Sequence, residues 1–158
     1  MLSEYLEVAL DYGRKNSNRM IQKLLKAMRK IKFDAIAFRG VSGSLMAPIL
    51  AYKLKKGLIV VRKGNESTHS SYVVEGTIDN RHTKYVIVDD LILTGETIEN
   101  IMSEIDKEVD NHFFVDGRMK CVGVFLYAQN KMGLKKSGMS DEDLEKLSKK
   151  VPIFALGL

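Results

Sequence analysis

The sequence of 158 residues predicts an α/β fold assembled from strand–loop–helix units. Two such units are clear, in residues 33–54 and in residues 85–110. In each, a short apolar run passes into a polar, glycine-bearing stretch, and apolar residues then recur at helical spacing. Further apolar runs at residues 58–62, 120–127 and 151–156 predict additional strands.

Helices are predicted outside these two units as well. Residues 2–31 have helical periodicity that is interrupted near Gly13, so Ser17 is expected to cap a second helix. Ser140 is expected to cap a short helix over residues 141–147. Residues 39–44 are expected to form a glycine-bearing loop between the first strand and its helix.

The composition is that of a globular domain, with 45% hydrophobic and 28% charged residues. We expect one domain of residues 1–158, with a helical N-terminal or hood segment (1–31), a core (32–127) and a C-terminal segment (128–158). One cysteine excludes an intrachain disulfide. The N-terminus is acidic and has no secretory signal pattern, and no apolar run is long enough for a membrane span, so a cytoplasmic protein is expected.

The net charge of +5 suits anionic ligands. Lys23, Lys26, Arg29 and Lys30 form a basic run on the predicted N-terminal helix. Such a run more often forms a solvated face than a nucleic-acid contact, so we expect no nucleic-acid partner, without excluding one. The three histidines lack metal-ligand spacing, and no zinc site is predicted.

The central stretch, residues 85–97, combines groups that bind sugar and phosphate. Asp89 and Asp90 follow a buried strand directly, and ligands of open α/β sheets bind beyond the carboxyl ends of strands. Two carboxylates there can accept hydrogen bonds from vicinal ribose hydroxyls. The turn that holds Thr94, Gly95 and Thr97 feeds a helix, whose free N–H groups and dipole favour a phosphate.

Residues 85–97 resemble the phosphoribosyl-pyrophosphate (PRPP) motif of type I phosphoribosyltransferases. That motif is four apolar residues, two acidic, two apolar, any residue, and then Thr-Gly-any-Thr, and every position matches. The resemblance implies a mostly parallel, twisted sheet flanked by helices, with a small hood, and PRPP bound over its C-terminal edge. It also implies transfer of the phosphoribosyl group to a nitrogenous base, with release of pyrophosphate.

The resemblance further implies the following site residues. Catalytic roles fall to Lys63, Glu75, Asp89 and Asp90. The ribose and 5′-phosphate are expected at Asp89, Asp90, Leu93, Thr94, Gly95, Glu96 and Thr97. The pyrophosphate is expected at Arg39, Gly40, Val41, Arg62 and Lys63. Mg²⁺ is the expected cofactor, held indirectly by Asp89 and Asp90 through ribose or water.

The acceptor base remains open, with a purine favoured. Adenine-type members have Arg-Gly after the first strand, an Arg-Lys pair before a flexible loop, and a Ser-Tyr-any-apolar-Glu string after it. Residues 39–40, 62–63 and 71–75 match these features. Residues 64–71 are expected to close over the site, but this loop is shorter than in adenine-type members, so orotate or another ring remains possible.

A non-catalytic regulator of the same fold is the alternative, because some members of the family bind PRPP or nucleotides only as effectors. The intact Asp89, Asp90 and Lys63 favour an enzyme. We further expect a homodimer and no membrane partner.

Overall fold

A computed structural model gives the fold of the protein. It describes residues 13–63, 72–76, 84–111, 119–129, 131–135 and 137–157. The elements, in chain order, are α1 (Gly13–Met28), β1 (Ala35–Arg39), α2 (Gly40–Leu54), β2 (Gly57–Val61), β3 (Val74–Gly76), β4 (Lys84–Asp89), α3 (Glu96–Asn111), β5 (Lys120–Leu126), α4 (Lys131–Lys135), α5 (Asp141–Lys150) and β6 (Ile153–Ala155).

The six strands form one sheet in the order β3-β2-β1-β4-β5-β6. All neighbouring pairs are parallel except β2 and β3, which are antiparallel. The connection from β1 to β2 runs toward one edge of the sheet, and the connection from β4 to β5 runs toward the other edge. The topological switch point therefore lies between the adjacent strands β1 and β4, where α/β sheets bind ligands. The predicted α/β fold with a mostly parallel sheet is confirmed.

Helices cover both faces of the sheet, as alternation along the buried strands requires. Ala35 and Ala37 of β1 face the cluster that contains α3, whereas Ile36 and Phe38 face the cluster that contains α1 and α2. Both clusters are built from fully buried aliphatic and aromatic side chains. The sheet is therefore the shared wall of two hydrophobic cores, and its C-terminal edge is held rigidly from both sides.

The first turn of α2 lies close to the strand ends because Gly43 has no side chain. A Cβ atom there would lie 2.6 Å from Cβ of Phe38 and 3.1 Å from the carbonyl oxygen of Val88. Both neighbours belong to the adjacent strands β1 and β4. This close approach brings the N-terminus of α2 against the end of β4.

Two local predictions were wrong. The chain enters α2 directly from β1, so residues 39–44 form a strand end and a first helical turn instead of a loop. Gly40, at φ +71°, makes this abrupt change of direction. Ser17 does not begin a second helix, because α1 runs through it from Gly13 to Met28. The tertiary packing of Met20, Leu24, Leu25 and Met28 in the core outweighs the low helix propensity of the Asn-Ser-Asn stretch.

The predicted cap at Ser140 is confirmed: its hydroxyl accepts a hydrogen bond from the N–H of Asp143, and α5 follows. The short helix α4 was not predicted from the polar sequence around it. None of the helices in the described ranges is long and apolar enough to cross a membrane.

Candidate active site

A cleft of about 610 Å³ opens at the C-terminal edge of the sheet, beside the switch point. Three chain segments line it: the junction of β1 and α2, the end of β2, and the stretch from the end of β4 into α3. The lining residues include Arg39, Gly40, Val41, Ser42, Lys63 and Asp89 to Ile98. The cleft therefore collects most of the side chains that the sequence indicated, from three different elements.

Asp89 is the most constrained polar group in the cleft. Its Oδ1 accepts a hydrogen bond of 2.8 Å from the Ser42 hydroxyl and one of 2.9 Å from the N–H of Asp90. The side chain is almost fully buried at 5% exposure. Asp90, also buried, accepts a bond of 2.8 Å from the N–H of Leu91. The protein thus fixes Oδ1 of each carboxylate, and a carboxylate held in this way is suited to accept a hydrogen bond from a ligand hydroxyl.

Burial raises the pKa of the Asp89 carboxyl from 3.8 to about 7. The hydrogen bond from Ser42 lowers this pKa, and the nearby Asp90 carboxylate raises it. Asp89 therefore exchanges its proton near neutral pH. A ligand that needs the ionised carboxylate as an acceptor will bind more tightly as pH rises through this range.

We expect Ser42→Ala to raise the pKa of Asp89, because the hydroxyl stabilises the ionised carboxylate. Carboxyl-carbon NMR titration of the free protein measures this directly. Ser44→Ala is the matched control, since the Ser44 hydroxyl donates to the carbonyl of Val41 in the same turn and not to Asp89. An unchanged or lower Asp89 pKa in Ser42→Ala would contradict this account.

Two residues that sequence reasoning missed support the cleft from below. Tyr127 donates its hydroxyl to the carbonyl of Ser42 at 2.8 Å, and burial together with the two aspartates raises the pKa of this phenol. It therefore stays a hydrogen-bond donor. The Gln129 side chain accepts from the N–H of Ile92 and donates to the carbonyls of Ile92 and Gly133. Gln129 thereby fixes the start of the segment between β4 and α3.

The N-terminus of α2 forms one wall of the cleft. No side chain caps it, since Arg39, in extended conformation at the N-cap, makes no side-chain cap bond. Lys63 leaves the end of β2 alongside, and its Cε lies 3.9 Å from where a Cβ of Gly40 would be. A lysine ammonium and the positive end of a helix dipole therefore converge on one place, which suits an anion.

The N-terminus of α3 forms the opposite wall. Gly95 accepts the first helical hydrogen bond, from the N–H of Glu99, at φ +80°. Met139 and Leu147 pack against its other side, within 3.0 and 3.5 Å of a Cβ built on Gly95. The glycine both turns the chain and lets the helix start face the cleft. The hydroxyl of Thr94 accepts a long bond of 3.4 Å from the N–H of Glu96.

Arg62 and Glu75 lie apart from the other predicted site residues and do not line this cleft. They form an ion pair of 2.6 Å between β2 and β3, with side chains 18% and 42% exposed. The N–H of Arg62 also donates to the carbonyl of Val73. The predicted closing loop, residues 64–71, lies outside the described residues.

The sequence matches a known family over most of its length. The family model PRTase-CE matches residues 1–152. An adenine phosphoribosyltransferase from a Thermoanaerobacter species is 33% identical over 134 residues, covering 67% of this chain and 74% of the relative. An orotate phosphoribosyltransferase from Pyrobaculum calidifontis is 30% identical over 86 residues, covering 54% of this chain and 44% of the relative.

Solved structures agree on the fold. The adenine phosphoribosyltransferase of Thermoanaerobacter pseudethanolicus superposes with a TM-score of 0.60 at 23% identity, covering 93% of this chain and 83% of that one. The orotate phosphoribosyltransferase of Aeropyrum pernix superposes with a TM-score of 0.62 at 19% identity, covering 92% and 73%. Together with the family match and the sequence relatives, these likenesses confirm the resemblance seen at residues 85–97: the chain belongs to the type I phosphoribosyltransferase family and matches its PRTase-CE model.

Proposed function

We propose that the protein transfers the phosphoribosyl group of PRPP to a ring nitrogen of a base, with a purine as the favoured acceptor. The observation that most supports this is the fixed Asp89–Asp90 pair between the N-termini of α2 and α3. A molecule with a diol in the middle and a phosphate group at each end matches that arrangement. PRPP is such a molecule.

In the proposed pose, the ribose hydroxyls donate to Asp89 and Asp90. The 5′-phosphate lies at the start of α3, over residues 93–97, where free N–H groups and the helix dipole favour it. The pyrophosphate lies at the start of α2, near residues 39–41 and Lys63. Each charged part of the substrate then meets a complementary part of the cleft.

The reaction needs no covalent nucleophile from the protein. A lone pair on the base nitrogen forms the new bond to C1′ of the ribose, and the bond from C1′ to the pyrophosphate oxygen breaks, its electron pair leaving with pyrophosphate. The base loses its ring N–H proton to solvent. Positioning of the two substrates and stabilisation of the leaving charge at Lys63 and the α2 N-terminus therefore supply the catalysis.

Mg²⁺ fits this donor set as an ion that accompanies PRPP. Within the described ranges, no cluster of three or more His, Cys, Asp or Glu side chains forms a metal cage. Two adjacent carboxylates suit a hydrated Mg²⁺, which commonly binds through one or two carboxylates and substrate phosphates. Asp89 and Asp90 would hold it indirectly, and the ion would neutralise pyrophosphate charge.

For Arg62 and Glu75 we propose an indirect contribution to pyrophosphate binding and catalysis. Their ion pair joins β2 to β3 next to Lys63, the residue that precedes segment 64–71. The pair would hold the two strands from which that segment leaves and returns. Partial exposure makes it worth no more than about 1 kcal/mol in stability, so its expected influence is on the position of Lys63.

Lys63→Ala is expected to lower kcat more than it weakens PRPP binding. Negative charge builds on pyrophosphate as its bond to ribose breaks, so the lysine interacts more strongly with the transition state than with the substrate. PRPP titration and single-turnover rates separate the two effects. Lys120→Ala, at the far end of β5, is the control. An unchanged single-turnover rate in Lys63→Ala would remove Lys63 from the catalytic group.

A panel of bases tests the proposed reaction. Adenine, hypoxanthine, guanine, xanthine, orotate and uracil are each incubated with PRPP and Mg²⁺, and pyrophosphate release is measured. We expect release with a 6-substituted purine. Release with orotate alone would overturn the purine assignment, and PRPP binding without release for any base would favour the regulator. The predicted homodimer is tested separately by sedimentation equilibrium.

A further inference from the structure

The charge of this protein is divided unevenly along the chain. Residues 13–63 contain fourteen Lys and Arg but only one acidic residue, a net charge of +13, whereas the remainder has a net charge of −8. The basic part corresponds to α1, β1, α2 and β2. Such an asymmetry is typical of a protein with a polyanionic partner. Arg39, Arg62 and Lys63 lie at the C-terminal edge of the sheet, but most of the other cations do not.

A second cavity, of about 530 Å³, lies at the opposite, N-terminal edge of the sheet. It is formed where α1 and α2 end and where β1 and β2 begin. Its apolar lining is Met28, Ile31, Phe33 and Leu54, and its charged lining is Arg29, Lys32, Lys53, Lys55, Lys56 and Asp34. All five cations are exposed. The cavity is therefore a basic concave surface separated from the active-site cleft by the length of the sheet.

These five cations differ from the lysines of α3 and α5. Lys107, Lys146, Lys149 and Lys150 each form an ion pair with a carboxylate. No ion pair links any of the five cavity cations to a carboxylate among the described residues. Asp34, the one acidic residue of the lining, accepts a hydrogen bond from the N–H of Lys84. The described lining of this cavity therefore carries five cations and one carboxylate, a net positive charge.

Fold stability accounts for only part of this cluster. Cations near a helix C-terminus interact favourably with the dipole by about 0.3–1 kcal/mol, and α1 and α2 both end here. Lys56 also lies over the ring of Phe33, 5.2 Å from its centroid. Five like charges around one cavity nevertheless repel one another, so helix capping alone does not explain them. Lys55 even adopts a left-handed conformation at φ 54°, where Gly or Asn is more common.

The basic surface extends beyond what one small anion would cover. Arg19, Lys23 and Lys26 follow one face of α1 at helical spacing, and Lys30 follows shortly after its end. This helix of 16 residues is about 24 Å long and ends at the cavity. Tyr52, 86% exposed on α2, adjoins Lys53 and offers a ring face. A row of cations with an exposed aromatic ring is the arrangement that binds phosphate backbone and stacks bases.

We propose that this surface, defined by Arg29, Lys32, Lys53, Lys55 and Lys56 and continued along α1, binds a single-stranded nucleic acid. Binding there leaves the active-site cleft open. The phosphates contact the cations, and the apolar cavity and Tyr52 accept bases. The proposal does not depend on the acceptor base or on catalysis.

The test is fluorescence anisotropy of a labelled 20-nucleotide RNA and DNA strand with the full chain, over a range of salt. The variant Arg29→Gln/Lys32→Gln/Lys53→Gln/Lys55→Asn removes four cavity cations and keeps Lys56 on Phe33. The control, Lys107→Gln/Lys120→Gln/Lys146→Gln/Lys149→Gln, loses the same charge at exposed positions elsewhere. We expect the cavity variant to bind at least about tenfold more weakly and to reduce the slope of log K against log salt by about 2–3, at roughly 0.7 per lost contact. The control should bind like the wild type.

PRPP with Mg²⁺ is added as competitor, and phosphatidylserine vesicles replace the oligonucleotide in a parallel series. The proposal predicts no displacement by PRPP and weaker binding to vesicles than to the strands. An equal loss of oligonucleotide affinity in both variants would show nonspecific charge attraction and would overturn the proposal. Displacement by PRPP would move the binding to the active-site cleft, and binding to vesicles alone would make the surface a membrane contact. Absence of oligonucleotide binding at low salt would also refute it.

Discussion

Asp89→Asn is expected to stabilise the protein at pH 8 while it removes most PRPP binding and turnover. The Asn Oδ1 can still accept from Ser42 and from the N–H of Asp90, so the local structure persists. Asn lacks the charge that burial penalises. It also loses the proposed charge-assisted bond to the ribose hydroxyls, worth on the order of 1.5–3 kcal/mol, or about ten- to hundredfold in affinity.

The sign of the stability change follows from the pKa of Asp89, about 7 in the folded protein against 3.8 as its ordinary value. Because folding raises this pKa, the folded state holds the proton more tightly, and wild-type stability falls as pH rises from about 4 to about 7. Asp89→Asn lacks this loss, so its advantage should reach the order of 4 kcal/mol at pH 8. Below pH 4 the advantage should vanish.

Urea unfolding of both proteins at pH 4 and pH 8, together with PRPP titration at pH 8, measures the two effects. Equal stability at pH 8 would show that Asp89 is not destabilised by burial. PRPP affinity like that of the wild type would show that Asp89 does not hold the ribose.

Gly95→Ala is expected to disrupt the proposed 5′-phosphate site selectively. At φ +80° a side chain costs about 1–2 kcal/mol, and a Cβ would lie 3.0 Å from Cε of Met139. The helix start should move, and its N–H groups should no longer converge on a phosphate. We expect at least about tenfold weaker binding of PRPP and of ribose 5-phosphate, which is about 1.4 kcal/mol.

Pyrophosphate binding provides the internal control for Gly95→Ala, because the proposed pyrophosphate site is at the start of α2. It should be unchanged. Gly138→Ala is the matched variant, since a Cβ there would make an ordinary contact of 3.4 Å with the carbonyl of Leu93. If Gly95→Ala weakens pyrophosphate and ribose 5-phosphate equally, the loss is general misfolding and the assignment of this turn fails.

The strands and the strand-end aspartates could be predicted because their signals are local. A β-branched apolar run predicts a buried strand whatever its position in the sheet. Asp89 follows such a run directly in the sequence, so its place at a strand end could also be predicted. The passage from β1 into α2 was not predictable in this way. A glycine-bearing polar stretch is compatible with either a loop or a helical turn, and the packing of Gly43 against Phe38 and Val88 selects the helix.

The supporting residues were missed because their partners are distant in sequence. The side chain of Gln129 bonds Ile92, 37 positions away, and Tyr127 bonds Ser42, 85 positions away. Arg62 and Glu75 were assigned to pyrophosphate binding and catalysis from a motif match, yet their side chains form an ion pair with each other, across a register in which Val60 is the partner of Glu75. No pattern along the chain contains that register. For Gln129, the available signal was a polar residue three positions after the end of a buried strand.

PRPP binding to the free protein tests the central claim most directly. Thermal unfolding is followed with PRPP, ribose 5-phosphate or pyrophosphate across a range of Mg²⁺ concentrations. A ligand that binds only the folded state at a hundred times its Kd stabilises it by about 2.7 kcal/mol, which for a chain of this size raises Tm by roughly 5–10 °C. We predict such a rise with PRPP and Mg²⁺, and a smaller rise with each fragment. No rise with PRPP at any Mg²⁺ concentration would contradict the account.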